Sequence, residues 1–466
     1  MNVLWTAAEA AAATGGTNTG TWSAQGVSID SRSLLPGDLF VALKGPKYDA
    51  HEFVAPALDK GAAAAMVATT IARVAKPLLV VADTQTGLED LGRAARARTA
   101  AKIVGVTGSV GKTGTKEALR HALERQGATH ASSGSLNNQW GVPLSLARMP
   151  RDTAYGVFEM GMNHPGEIDA LTRLVRPDVA VITTIEPAHL GFFPSVEAIA
   201  DAKAEIFNGM DARGCAVLNR DNPYFDRLAA HAKAAGVGRI VDFGAHTDAA
   251  VHVIDCHLHA SASAVTASVQ GEIVDYCLAL PGRHWVINSL AVLAAVRAVG
   301  GDIGTAAAAM STLEPIAGRG LRRSIMVAGG EALLIDESYN ASPASMRAAI
   351  AVLGTAQPEH GGRRIAVLGD MLELGVDAAQ LHAQLAEPLR DAGVDLVFTV
   401  GDAMRALYDA LPARRRGVHA ATAAEMAEAV ARRLRSGDVI MVKGSYGSRM
   451  RDVIARLSTA AETARH

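Results

Sequence analysis

The densest chemical signal in this chain is a run of small residues ending in a lysine: Gly105-Val106-Thr107-Gly108-Ser109-Val110-Gly111-Lys112-Thr113. It follows an apolar stretch, Ile103 to Val106, and precedes a helix-like stretch that begins near Thr115. Strand, loop and helix in that order form a phosphate cradle. Small side chains let backbone N–H groups converge on oxygen anions, and the helix start adds partial positive charge. In this reading Lys112 reaches the β- and γ-phosphates of a nucleotide and the Thr113 hydroxyl ligates Mg²⁺. Val106 stands where the common pattern has glycine, while Gly105 and Gly108 sit where a shorter variant places them. The plainer alternative is a glycine turn carrying an exposed lysine.

Three further positions could belong to the same chemistry. Glu159 ends the apolar run Tyr155-Gly156-Val157-Phe158. A carboxylate at the carboxyl edge of a parallel strand faces the ligand crevice and could hold Mg²⁺; a strand-end surface acid is the other reading. His189, in the loop Glu186-Pro187-Ala188-His189-Leu190, could ligate metal, accept a hydrogen bond or do neither. Lys203, in Ala202-Lys203-Ala204-Glu205-Ile206-Phe207, reads from periodicity alone as a solvated helix lysine.

These residues need a scaffold, and 466 residues are too many for one hydrophobic core. Apolar residues make up 49% and aromatic ones 4%, so the cores are aliphatic and alanine-rich. A formal net charge of −2 gives no general attraction to nucleic acid or anionic membrane. Cys215, Cys256 and Cys277 lack metal-ligand spacing and are too few for a disulfide framework. No apolar run reaches membrane-spanning length, and the N-terminus, with Glu9, does not read as an export signal. A cytoplasmic protein is expected.

Residues 1–98 form a first unit with short strands at 27–30, 39–43 and 78–81, a helix at 53–60 and a helical segment at 92–101 leading onward. From 102 to 316 strands and helices alternate, the mark of a parallel sheet covered on both faces. Strands are predicted at 102–106, 154–159, 178–184, 214–218 and 239–243, with helices near 115–126, 166–175, 195–208 and 223–235. Residues 250–280 change to an antiparallel pattern, and 285–299 reads as helix. After Gly318-Arg319-Gly320 the alternation restarts, with strands at 332–336, 364–368, 395–400 and 438–442. Helices near 344–354, 378–391, 421–434 and 449–460 complete a third, doubly wound α/β unit.

Taken together, these motifs resemble those of the Mur ligase family, ATP-dependent amide ligases that add amino acids to a UDP-linked muramoyl peptide. Thr107 to Thr113 is similar to the family's ATP loop, and Asn137-Asn138-Gln139-Trp140-Gly141-Val142-Pro143 to its Asn-Asn-x-x-Gly-x-Pro segment. Glu159-Met160-Gly161, Ala188-His189 and Ala202 to Phe207 fall in the family's order. Asp30-Ser31-Arg32, Asp49-Ala50-His51, Asp336-Glu337-Ser338-Tyr339-Asn340-Ala341-Ser342-Pro343 and Leu368-Gly369-Asp370-Met371 look most like the branch that joins D-alanyl-D-alanine to UDP-N-acetylmuramoyl-tripeptide. Pro194 and Tyr446 depart from it, standing where relatives often carry glycine and arginine.

The resemblance implies an α/β protein of three domains. These are a small UDP-binding domain over 1–98, a central P-loop ATPase domain with a mostly parallel sheet over 99–316, and a C-terminal Rossmann-like domain over 317–466. It implies ATP and two Mg²⁺ ions, and CO₂ held on Lys203 as a carbamate that ligates metal together with Glu159 and His189. Carbamylation needs a neutral amine, so the site must depress the lysine pKa. By the same resemblance, Thr107, Gly108, Ser109, Val110, Gly111, Lys112 and Thr113 hold the phosphates. Asn288 reads adenine, Arg319 meets the γ-phosphate and Asp336 lies near the ribose. Asn138, Asn340 and Ser342 approach the peptide substrates, and Ser31 and Arg32 the UDP moiety. The implied reaction activates a carboxylate as an acyl phosphate inside a site that the last domain closes when ATP binds. The partners are the two substrates, with no nucleic acid and no membrane span, and a monomer is expected. Another Mur-type ligase or a folylpolyglutamate synthetase-type ligase is the alternative, which the UDP-binding-like first unit disfavours.

Overall fold

The strand Lys102–Thr107 carries Ile103, Val104 and Val106, all fully buried. An apolar run without alternation suits a parallel strand covered on both faces. The computed structural model describes residues 3–46, 48–69, 77–187 and 190–463. In it, this strand lies inside a nine-stranded sheet, between Tyr155–Glu159 and Val179–Ile182 and parallel to both. The chain leaves it toward Thr129–Ala131 and Tyr155–Glu159 on one side. It returns through Val179–Ile182, Cys215–Asn219 and Arg239–Gly244 on the other. That reversal opens a crevice at the carboxyl ends of the strands, the place where such sheets bind ligands. Register sets Glu159 beside Val106 and Ile182 beside Thr107, so the three strands end together at the crevice. Val251–Leu258 continues the sheet in parallel, and Ser263–Val269 and Glu272–Leu278 finish it antiparallel.

The helix Lys112–Glu124 follows the loop and buries Ala118, Leu119, Ala122 and Leu123, a stripe at helical spacing. The helix Arg283–Ala298 packs in the same core through Val286, Leu290, Leu293 and Ala294. On the opposite face of the sheet, Val196–Ala204 is capped by the Ser195 hydroxyl, which accepts from Ala198 N–H.

Two further sheets flank this one. The N-terminal sheet has five strands, parallel except for the pairing of Thr17–Asn18 with Leu78–Val80. The C-terminal sheet has six, in the order Leu321–Val327, Gly330–Glu337, Val439–Lys443, Arg364–Gly369, Leu396–Val400 and Arg416–Ala420; only its first pair is antiparallel.

The sequence pattern misplaced or missed several elements. The phosphate-loop helix begins at Lys112 rather than near Thr115, because Gly111, at φ +86°, serves as its left-handed cap. The segment expected as a helix over 92–101 is the end of a longer helix, Thr84–Ala97, started by Asp83 accepting from Thr86 N–H at 2.7 Å. The helix expected over 378–391 is two pieces, Ala378–Ala383 and Ala386–Asp391, the second with Pro388 in its first turn. Ala64–Val67 is a fully buried strand whose alanines disguise it. Ala7–Thr14 is a helix closed by a Thr6–Glu9 capping box. Leu321–Val327 is an arginine-bearing edge strand.

The loop depends on Gly108. Its φ is +144°, and an added Cβ would fall 2.0 Å from Thr183 Oγ1. Gly108→Ala should therefore destabilise the protein, with the backbone strain alone costing on the order of 1–3 kcal/mol. Thermal melts will show the loss, and titration with ATP will show nucleotide affinity falling with it.

Candidate active site

A cavity of about 940 Å³ lies beyond the carboxyl edge of the nine-stranded sheet, walled on its far side by the six-stranded unit. From the central lobe its lining includes Ser109 to Thr113, Asn138, Glu159, Lys203 and Asn288; from the last lobe it includes Arg319, Asn340, Ser342 and Lys443. The loop is fastened from below. Ser109 N–H donates to Thr184 O at 2.8 Å, and Ser109 Oγ donates to Glu186 O at 2.9 Å. Thr183 Oγ1 donates to Val110 O at 2.6 Å, and Thr107 Oγ1 to Met160 O at 2.8 Å. No side chain caps the helix that starts at Lys112, so its first-turn N–H groups border the cavity as an anion site. Lys112 Nζ folds back to donate to Gly108 O at 2.8 Å and Ser109 O at 3.3 Å.

The charges are arranged against their own interest. Burial lowers the Lys112 pKa, Glu159 opposes that shift, and Arg319 adds to it from the other lobe. Lys203, only 2% exposed, is held well below the usual lysine value by burial, with Lys112 contributing repulsion. Lys443 is also lowered by burial; Glu337 works against this and Arg319 with it. Burial, with Lys443 contributing, pushes the His284 pKa down to about 4, so this cavity-lining imidazole is neutral at pH 7. Like charges facing one cleft repel, and a polyanion between them reverses the sign.

Glu159 supplies the one carboxylate on the sheet edge beside the loop. It is 1% exposed, and Asn137 Nδ2 donates to its Oε1 at 2.7 Å. Its Oε2 is buried and has no hydrogen-bond partner among the described residues. An orphaned carboxylate oxygen on a cavity that Lys203 also lines offers a hard cation one oxygen donor. Among the described residues no three His, Cys, Asp or Glu side chains converge as a metal cluster. His189, the remaining expected ligand, lies outside the described residues, as does Ala188.

Other expected site residues are placed differently. Asn138 borders the cavity, but its Oδ1 accepts from Trp140 N–H at 3.2 Å and Gly141 N–H at 2.9 Å, in the turn that leads into the helix Gly141–Ala147. Asp336 is buried outside the lining. Its Oδ2 accepts from Gly318 N–H at 3.2 Å, and its Oδ1 accepts from Ser338 N–H at 3.1 Å and Ser338 Oγ at 2.6 Å. Ser31 and Arg32 do not reach this cavity. Their carbonyls accept from Lys60 Nζ at 3.1 and 2.6 Å, and the largely exposed Arg32 pairs with Asp30 at 2.7 Å. Ser342 lines the cavity and caps the helix Pro343–Thr355. Asn340 carries the carbonyl that accepts from Lys443 Nζ at 3.0 Å, and Asn288 lies against Gly111.

Comparison with known proteins fits this geometry. The Mur ligase family catalytic-domain description matches residues 23–125, the Mur ligase middle domain 106–296 and the Mur ligase glutamate ligase domain 322–446. A UDP-N-acetylmuramoyl-tripeptide–D-alanyl-D-alanine ligase of Escherichia coli is 36% identical over 433 residues, covering 92% of this chain and 93% of the relative. The chain belongs to the Mur ligase family. A ligase of the same name from Bacillus subtilis is 32% identical over 438 residues, covering 93% of each. Among solved structures, MurF from Acinetobacter baumannii superposes with a TM-score of 0.84 at 31% identity, over 98% of this chain and 99% of that one. MurF from Thermotoga maritima, solved in complex with ADP, gives 0.77 at 26% identity, over 94% and 98%.

In this Mur ligase the sequence reading passed over Asn137, His284, Glu337 and Lys443 as site residues. Lys443 had a usable signal. It ends the apolar run Val439 to Val442 just as Glu159 ends Tyr155 to Phe158. Asn137 had none beyond its neighbour, because which of two adjacent amides faces a carboxylate depends on the loop between sheet and helix.

Two outcomes test this description. Asn137→Ala frees Glu159 Oε1 without touching the phosphate loop, so turnover should fall roughly 10–100-fold and the Mg²⁺ needed for half-maximal rate should rise. Lys203→Met should abolish turnover yet raise the melting temperature at pH 7 in CO₂-free buffer, by roughly 2–4 °C for each kcal/mol recovered. The sign follows from linkage. With the folded pKa depressed, the cost of the buried ammonium is full below that pKa and relieved as pH rises toward the unfolded value. The gain from Lys203→Met should therefore shrink in alkaline melts.

Proposed function

We propose that this chain is an ATP-dependent ligase that joins D-alanyl-D-alanine to UDP-N-acetylmuramoyl-tripeptide, giving the pentapeptide precursor of peptidoglycan, ADP and phosphate. Its end-to-end likeness to ligases of that name carries the reading, and the cation-lined cleft between two lobes supplies the chemistry. The three domains run over 1–98, 99–316 and 317–466, a division supported by the separate sheets of residues 17–80, 102–278 and 321–443. No described helix is long and apolar enough to cross a membrane, and a UDP-linked substrate consumed with ATP fits a cytoplasmic reaction.

The tripeptide carboxylate must attack the γ-phosphate of ATP, anion on anion. Two unit charges 4 Å apart repel by about 4 kcal/mol at an effective dielectric near 20, and ATP carries several. Lys112, swinging from the loop carbonyls to the β- and γ-phosphates, and Arg319, meeting the γ-phosphate from the last lobe, offset that repulsion and hold the reactants in line. The new carboxylate O–P bond forms as the bond to the bridging oxygen breaks, and the electron pair leaves with ADP. The dipeptide amine, aligned by Asn340 and Ser342, then attacks the acyl carbon, and phosphate departs. Contact between the lobes keeps water from the acyl phosphate. Gly191 N–H donates to Glu373 O at 3.0 Å, and Tyr339 Oη donates to Ser135 Oγ.

Asn288, which lies against Gly111 of the loop, would read the adenine edge. Lys203, whose amine burial biases toward neutrality, would take up CO₂ on its nitrogen with loss of a proton, and the carbamate oxygens would then be available to metal. Thr113, Glu159, His189 and carbamylated Lys203 would hold two Mg²⁺ ions, which when bound supply neutralisation of phosphate and carboxylate charge.

Phosphate release is the direct test. It should require ATP, UDP-N-acetylmuramoyl-tripeptide and D-alanyl-D-alanine together, with the pentapeptide seen by mass spectrometry; turnover with glutamate in place of the dipeptide would refute the assignment. Lys112→Ala should reduce ADP formation by at least about 10³-fold while leaving UDP-substrate affinity within about twofold.

A further inference from the structure

Tyr339, whose phenol bridges the two lobes, joins three parts of the site. Its backbone N–H donates to Gly318 O at 3.1 Å. A Cβ on Gly318, whose φ is +76°, would fall 2.9 Å from Tyr339 Cβ, so the tyrosine fills the space against this turn. The next residue, Arg319, lays its guanidinium over the Tyr339 ring, with Cζ 4.2 Å from the centroid. The phenol donates across the cleft to Ser135 Oγ on the central lobe. Ser135 lies in the loop that carries Asn137, the partner of Glu159, and Lys116 anchors that loop from the phosphate-loop helix by donating to Ser132 O at 2.7 Å.

We propose that Tyr339 is a positioning residue for Arg319: its ring aims the guanidinium into the cleft, and its hydroxyl latches the last lobe to the loop that orients Glu159. The proposal rests on the reading that Arg319 meets the γ-phosphate. An aromatic face suits that task better than a carboxylate. A carboxylate partner would neutralise the cation and occupy its N–H donors; a ring fixes the plane and leaves every donor for phosphate oxygens. Among the described residues no carboxylate pairs with Arg319. Tyr446, its ring 6.0 Å from that of Tyr339, backs the stack and carries Arg451 at 4.5 Å.

The test compares calorimetric affinities for ADP and a non-hydrolysable ATP analogue, which differ by the γ-phosphate. Arg319→Ala should weaken the analogue about tenfold and ADP less than about twofold. Tyr339→Leu should show the same selectivity, and adding it to Arg319→Ala should cost less than about twofold more. Tyr339→Phe keeps the ring and should retain most of the selectivity. It should match Ser135→Ala, each losing about threefold in analogue affinity.

Equal weakening of ADP and analogue by Tyr339→Leu, or a full additional loss on the Arg319→Ala background, would overturn the ring's role. Wild-type affinities in Tyr339→Phe and Ser135→Ala would overturn the latch. If Arg319→Ala itself weakens both nucleotides alike, the γ-phosphate assignment falls, while non-additivity between positions 319 and 339 still decides the positioning claim.

Discussion

Keeping like charges close together is the constraint on which this structure turns. Lys112 is within electrostatic reach of both Lys203 and Arg319, and Arg319 of Lys443, in a cleft where burial already disfavours the charged forms. No flexible surface would keep such an arrangement. It persists because each cation belongs to a different rigid element: a helix start, a helix end, the turn between two glycines and a strand end. The repulsion has a use. Proton loss relieves it at Lys203 and a polyanion relieves the rest, so the free energy of holding the lobes together is tied to the charge of what lies between them. A site of this kind is expected to be less stable than an apolar one of equal volume, and to recover stability when it binds.

Two sheets facing each other by their carboxyl edges make this possible. In each, an apolar strand buried on both faces ends abruptly in a charged residue at the cleft: Glu159 on one side, Glu337 and Lys443 on the other. Sheet register then sets relative heights, which loops alone would leave variable. Glu337 sits beside Lys443 across parallel strands, and their side chains form an ion pair at 3.4 Å that tempers the lysine without cancelling Lys112 or Arg319.

What could be read from the sequence followed from this design. The alternation of apolar runs and helices over 102–442 exposed the parallel sheets, and Gly108 to Thr113 exposed the phosphate loop, because both are local patterns. Lys203 was invisible to periodicity, since a lysine on a helix is ordinarily solvated; only its neighbours in a family motif singled it out, and its burial comes from packing of Val196–Ala204 under the sheet. Asp336 was singled out by the resemblance alone, as an acid near the ribose; no sequence pattern announces the hydrogen bonds its oxygens accept from Gly318 and Ser338, which the fold of the turn decides. Ala64–Val67 was missed because alanine carries little strand signal when burial rather than propensity decides.

The connections between units differ in stiffness. The first unit shares its core with the central one. Leu144 and Ala147, on the helix Gly141–Ala147, pack with Leu88 and Leu91; Trp5 Nε1 donates to Ala147 O at 2.8 Å, and Arg148 Nε donates to Val27 O at 2.6 Å. Those bonds fix the first unit to the same loop that presents Asn137 to Glu159. The last unit follows the single covalent crossing at Gly318-Arg319-Gly320, where both glycines adopt positive φ. That turn is itself tied down, with Arg319 N–H donating to Ile316 O at 2.9 Å and Gly320 N–H to Asp336 O at 2.8 Å, so the cation at the joint is held from both sides of the crossing.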